Sequence, residues 1–147
     1  MMISRLLVLA QFILIGLIVS PTRALLSTSM PMIVGLALML LATAFALWAL
    51  ISMHPGTFRV LPEPASTGTL TKTGPYAFVR HPMYSAVVIG SFGACIGHGI
   101  LTNWILLAGL VVVLAIKAHR EEILLDQHYA DYAQYKKHTK AFVPFVY

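Results

Sequence analysis

Met32 to Met53 reads MIVGLALMLLATAFALWALISM, a run without a single charge, closed by His54-Pro55-Gly56. At a helical rise of ~1.5 Å per residue it covers about 33 Å, enough to cross a hydrocarbon core of ~30 Å. Working outward, three further apolar segments appear. The first runs from Ile3 to Val19 and stops at Ser20-Pro21-Thr22-Arg23. The next runs from Met83 to Leu101, and the last from Trp104 to Ile116. That last segment is short for a span. Leu101 and Thr102 extend it at one end, and at the other Lys117 is expected to snorkel, its stem in the apolar layer and its ammonium at the interface. The reading is an all-α membrane protein of about four transmembrane helices.

Composition agrees. The 147 residues are 59% hydrophobic and only 10% charged, against roughly 25% charged in soluble domains. So small a soluble chain has too little interior for this much apolar sequence. The formal charge of +5 invites a nucleic-acid partner, but its placement points to membrane topology. Four spans put Arg5, Arg59, Lys72, Arg80, Lys117, Arg120, Lys136, Lys137 and Lys140 on one side, and Arg23 alone on the other. By the positive-inside rule both termini are cytoplasmic, a bacterial inner membrane being the expected setting. All five acidic residues and every histidine except His98 share that side, so any chemistry is expected there, with no nucleic acid involved. A signal-peptide reading of the first segment is disfavoured by Arg23 and by the length of the apolar run. The lone cysteine, Cys95, can form no intramolecular disulfide. Oligomeric state is not legible.

The organisation expected is one membrane domain over 1–147. Two N-terminal spans occupy 1–53, a long connection 54–82, a helical hairpin 83–117 and a tail 118–147. Gly93 and Gly97 form a small-xxx-small pair of the kind that lets helices pack closely. Connections as long as 54–82 are commonly functional or disordered.

Two clusters carry polar chemistry. In Leu70-Thr71-Lys72-Thr73-Gly74-Pro75-Tyr76-Ala77-Phe78-Val79-Arg80-His81-Pro82-Met83-Tyr84, Gly74-Pro75 is a turn signal and Pro82 suits the first position of a helix. The amides of that first turn are expected to be free to attract a carboxylate. His81, Tyr76 and Tyr84 add an imidazole and two aromatic faces, although tyrosine and arginine also mark interface belts. The second cluster is Lys117-Ala-His119-Arg120-Glu121-Glu122. Lys117 and Glu121 share a helix face, whereas Glu121 and Glu122 point about 100° apart and must serve different partners. Carboxylates at a helix C-terminus oppose its dipole, so either the helix continues or the charge is wanted there. Beyond them Tyr129, Tyr132 and Tyr135 lie at three-residue spacing, followed by Lys136, Lys137, His138 and Lys140. This predicts a C-terminal amphipathic helix at the interface, resting on anionic membrane lipid. No Gly-x-Gly-x-x-Gly follows a strand, and no Cys/His spacing indicates a metal.

Arg80-His81-Pro82-Met83-Tyr84, preceded by Leu70 and Gly74-Pro75-Tyr76, is similar to the Arg-His-Pro-x-Tyr element of the isoprenylcysteine carboxyl methyltransferase and phospholipid methyltransferase superfamily. Glu121-Glu122, followed by Leu125, the tyrosines and Phe142-Val143-Pro144, resembles that superfamily's second element. The likeness covers the second half of the chain, Arg59 to Pro144. It implies a membrane-embedded methyltransferase using S-adenosylmethionine, held by Thr69, Leu70, Thr71, Tyr76, His81, Pro82, Met83, Tyr84 and Glu121. Lys117 would meet a lipophilic acceptor, a carboxylate or a lipid head group, with Glu122 beside Glu121 and either Glu122 or His81 as a base where one is needed. Two departures are Ala86, where the superfamily often has glycine, and Lys117, where the carboxyl methyltransferases commonly use arginine. Lysine lacks the bidentate fork for a carboxylate. A membrane NADPH-dependent reductase of the sterol type, which carries a similar His-Pro-x-Tyr element, and a non-catalytic adaptor are the rival readings.

Overall fold

The computed structural model describes residues 2–20, 29–53 and 70–142. Five α-helices follow in order: α1 Met2–Val19, α2 Met30–Ser52, α3 Pro82–His98, α4 Leu101–His128 and α5 Tyr132–His138, with a 3₁₀ turn at Gly74–Ala77 before α3. Thr69, part of the expected cofactor stretch, lies outside the described residues.

Three helices, α1, α2 and α4, are long and apolar enough to cross a membrane. The expected fourth span is α3. Its 17 residues rise only ~25 Å, at the lower limit for crossing, so the count of four spans is not reached by length and composition. Leu40 is 71% exposed and Ile51 81%, a surface that only an apolar solvent suits. The last apolar segment, read as ending near Ile116, continues through the charged cluster to His128. At 28 residues α4 rises ~42 Å, more than a bilayer core. Glu121 and Glu122 therefore sit inside a helix, the first of the two alternatives that their conflict with a terminal dipole left open.

The helices do not pack in chain order. α2 lies along α3, while α1 packs on α4 rather than on its neighbour α2. Glycine decides the first pairing. A Cβ on Gly35 would fall 2.5 Å from the Gly93 carbonyl oxygen and 2.9 Å from the Gly97 amide nitrogen. Only bare backbone fits at Gly35 and at Gly93, whose own Cβ would fall 2.7 Å from the Gly35 carbonyl oxygen, whereas a Cβ on Gly97 would meet its nearest neighbour at an ordinary 3.6 Å. The α3–α4 turn is made by Gly99, at φ 65, a left-handed conformation that glycine adopts without strain. Beside that turn, Ile18, Ala94, Cys95, Leu107, Leu110 and Leu114 form the buried apolar cluster. Asn103 Nδ2 donates to the Ile18 carbonyl at 3.4 Å, tying the end of α1 to the start of α4.

At the opposite end the tail folds back. The Arg80 amide donates to the Lys140 carbonyl at 2.8 Å, and the His81 amide to the Ala141 carbonyl at 3.0 Å. The expected tyrosine stripe is divided: Tyr129 caps α4, and only Tyr132 and Tyr135 lie on α5, both buried. α5 thus presses its aromatic side onto the protein and leaves Lys136 and Lys137 outward.

Gly35→Ala is expected to lower the thermal midpoint of the detergent-solubilised protein, since overpacking against backbone costs about 1–3 kcal/mol. Gly109, mid-helix with nothing within 4 Å of a Cβ, is the control: Gly109→Ala should hold or raise the midpoint, alanine being the better helix former by about 1 kcal/mol. Equal midpoints for the two variants would contradict the close α2–α3 crossing.

Candidate functional site

Arg80 organises the polar cluster at the end of the molecule where the tail folds back. Its Nε donates to Glu122 Oε1 at 2.7 Å, and both side chains are only 10% exposed. Its Nη1 donates to the carbonyl of Thr139 and, at 3.4 Å, to that of Lys136. Glu122 also takes Lys136 Nζ at 2.6 Å. One guanidinium and one carboxylate thus bind the pre-α3 segment, α4 and the tail together. The residue read as an interface marker is the hub of the arrangement. The signal available was its place beside His81-Pro82, but its carboxylate partner lies 42 positions away.

Next to this clamp, a cavity of about 290 Å³ opens between α1, α3 and α4. It collects Tyr76, His81, Pro82, Met83, Tyr84, Lys117 and Glu121 from the expected site residues. Leu70, Thr71 and Glu122 are not on its wall. Glu122 faces a second cavity with His119 and Lys136, so the adjacent carboxylates line different cavities while sharing the His81 ring between them. Arg80 and Lys136 are the other partners of Glu122.

Within the cavity the groups are coupled. The Tyr84 hydroxyl donates to Glu121 Oε2 at 2.9 Å. The His81 ring stacks on Tyr84 with centroids 5.3 Å apart and planes 7° apart. His81 Nδ1 lies 3.6 Å from Glu121, and Nε2 lies 3.4 Å from Glu122. Tyr135 donates its hydroxyl to the Tyr76 carbonyl at 2.6 Å, fixing the 3₁₀ turn. Burial pushes the Tyr135 hydroxyl up to about 12. Burial, with Glu121 nearby, also raises Tyr76 well above its ordinary value, so both stay protonated and able to donate.

Two expectations are corrected. Lys117 does not snorkel. It is 2% exposed, and its Nζ donates to Gln11 Oε1 on α1 at 2.8 Å while lying 5.0 Å from the Tyr84 ring centre. A polar partner and an aromatic face inside the bundle replace the water that snorkelling would seek. The first turn of α3 is also less open than its sequence implies. α3 does begin at Pro82, but the amides of Tyr84 and Ser85 both donate to the His81 carbonyl. With no N–H on proline, Met83 alone is left to meet an anion. Thr71 contributes differently: its hydroxyl is buried without a partner among the described residues, a group that a ligand would satisfy. Those residues contain no cluster able to hold a metal.

Residues 30–132, well over half of the chain, match the family described as phospholipid methyltransferase. No curated protein matches.

Arg80→Met should cost about 3 kcal/mol by leaving a buried carboxylate short of its partner. It should also speed exchange of the Arg80 and His81 amides at least tenfold as the tail loosens. Pairing it with Glu122→Met removes the stranded charge and should recover part of the stability. Unchanged exchange in Arg80→Met would show that the tail is held by other contacts.

Proposed function

This chain belongs to the phospholipid methyltransferase family, and from that premise we propose that it transfers a methyl group from S-adenosylmethionine to a lipophilic acceptor at the cytoplasmic face of a membrane. The observation that carries this is the single cavity in which Tyr76, His81, Tyr84, Glu121 and Lys117 meet. Its wall combines apolar side chains, Phe12 and Ile15 of α1 and Val87 of α3, with the polar groups of Glu121, His81 and Lys117. A molecule with an alkyl portion and a polar head matches that mixture.

The residues suit S-adenosylmethionine. Glu121 accepts from Tyr84 through Oε2 and leaves Oε1 without a partner among the described residues, open to a hydroxyl or amino donor of the cofactor. Tyr76 offers a protonated hydroxyl, and its ring offers a face that attracts a cation. When bound, the cofactor supplies an activated methyl on a sulfonium, open to in-line displacement. The chain's work is then alignment, which by itself accounts for much of the rate in such displacements. Tyr84 holds Glu121 in orientation. Lys117 holds the acceptor. His81, between two carboxylates, stands where a proton leaving an ammonium acceptor could be taken up, whereas a carboxylate acceptor needs no base.

Calorimetric titration of the purified protein should show saturable S-adenosylmethionine binding. Glu121→Gln should weaken it at least tenfold, since hydrogen bonds to a charged group contribute about 1.5–3 kcal/mol. NADPH, titrated in parallel, should give no heat. Binding of NADPH in place of S-adenosylmethionine would move the protein to the reductases, and binding of neither would favour a non-catalytic role.

A further inference from the structure

The second cavity, of about 390 Å³, has no part in the proposed reaction. We infer that it holds the phosphate group of an anionic phospholipid, which braces the tail against α4 and is not the molecule methylated. The inference needs only a chain embedded in lipid and stands apart from the methyltransferase reading.

Charge comes first. Arg80, His119, Lys136 and Lys140 line this cavity, and Glu122 is its one carboxylate. Glu122 is shared between Arg80 and Lys136. The other acidic groups nearby are placed elsewhere. Glu121 lines the first cavity, Asp131 pairs with Lys72, and Asp126, one turn beyond Glu122, is not on this wall. Three permanent cations therefore face one carboxylate. Arg80 uses Nε and Nη1 for its bonds and keeps Nη2 in hand. The side chains of Lys140 and His119 have no partner among the described residues. One free surface lysine is commonplace. Several nitrogen donors lining one cavity in excess of its carboxylate are what the oxygens of a phosphate satisfy.

Placement selects a lipid as the source of that phosphate. With Leu101 at one interface, α4 rises ~27 Å to His119, close to the depth of a ~30 Å hydrocarbon core. The basic group thus stands at the level of lipid head groups. Ala115 shares the wall one turn before His119, toward the apolar part of α4, and is exposed, so an acyl chain can leave the cavity along the lipid-facing surface. Contact with lipid through the tyrosine stripe is not available, because Tyr132 and Tyr135 are turned inward. A lipid bound here is not placed for methyl transfer: Tyr84, Lys117 and Glu121 are absent from this wall. It is placed to join two segments. His119 and Glu122 belong to α4, and Lys136 and Lys140 to the tail whose carbonyls at 140 and 141 receive the Arg80 and His81 amides.

The probe is dioctanoyl phosphatidylglycerol, which has no amine to methylate, titrated into the protein in a nonionic detergent. Dioctanoyl phosphatidylcholine and glycerol 3-phosphate are titrated in parallel. Calorimetry gives affinity, and hydrogen exchange gives location. Phosphatidylglycerol should bind saturably and more tightly than either control, and should slow exchange of the Arg80 and His81 amides. Lys140→Gln should weaken it about fivefold or more, the scale of one basic contact with an anionic lipid. His119→Ala should weaken it about threefold or more, the scale of one hydrogen bond. Lys137→Gln removes the same charge from an exposed position off the cavity wall and should leave the affinity unchanged. Equal losses at Lys137 and Lys140 would show a lipid-attracting surface and no site. Glycerol 3-phosphate binding as tightly would make the ligand a free phosphate, and phosphatidylcholine binding as tightly would remove the role of charge. Absence of phosphatidylglycerol binding, or binding that leaves exchange at Arg80 and His81 unmoved, would also overturn the assignment.

Discussion

The Arg80 guanidinium joins stretches of chain that lie far apart in sequence: Glu122 on α4, and the carbonyls of Lys136 and Thr139 at the end of α5. The rest of the polar end follows from that convergence. With Glu122 drawn to Arg80, the tail is fixed along residues 78–81, where backbone hydrogen bonds run to Lys140 and Ala141. With the tail fixed, Phe142 lies 5.7 Å from the His81 ring, and Ser85 donates to the Phe142 carbonyl at 2.6 Å. His81 is thereby held stacked on Tyr84, and Tyr84 holds Glu121. A charge pair this enclosed contributes less to stability than its Coulomb attraction, because both ions lose water. Its effect here is geometric: it selects one arrangement of three segments.

The cavity beside the clamp depends on a second departure from surface behaviour. A lysine near the end of a membrane helix ordinarily stretches toward water. Lys117 turns the other way and meets α1 at Gln11. The helix from Leu101 to His128 continues past the apolar layer, so its charged turns stand where Tyr84 and His81 can reach them. The methyl transfer proposed for this chain rests mainly on alignment, and on the cavity wall Tyr84 holds Glu121 while His81 stacks on Tyr84.

Membrane helices gain no hydrophobic advantage from associating in lipid, so close contact must come from shape. Gly35 against Gly93 and Gly97 provides it between α2 and α3. α1, by contrast, is held to α4 through polar atoms at two depths: Gln11 to Lys117 midway along α1 and Asn103 to the Ile18 carbonyl near its end. Polar bonds of this kind are specific in register, which is what a helix forming part of a binding wall requires.

Much of this was legible along the chain. Uncharged runs as long as 32–53 admit one solvent and one secondary structure, because every backbone polar group must be paired internally in lipid. Pro82 placed the start of α3, glycine spacing marked its packing face, and the carboxylates at 121 and 122 were compatible with a longer α4. The Arg80–Tyr84 and Glu121–Glu122 elements come together in space, and Arg80, His81, Pro82, Met83, Tyr84 and Glu121 line the cavity. What the sequence could not decide was pairing. Gln11 and Lys117 stand 106 positions apart, and Tyr129 falls off the tyrosine stripe only because α4 runs through to His128. Local pattern reports what a residue prefers as a solvent. Which buried charge finds which partner depends on how helices cross, and that is settled by long-range packing for which the linear order carries no signal.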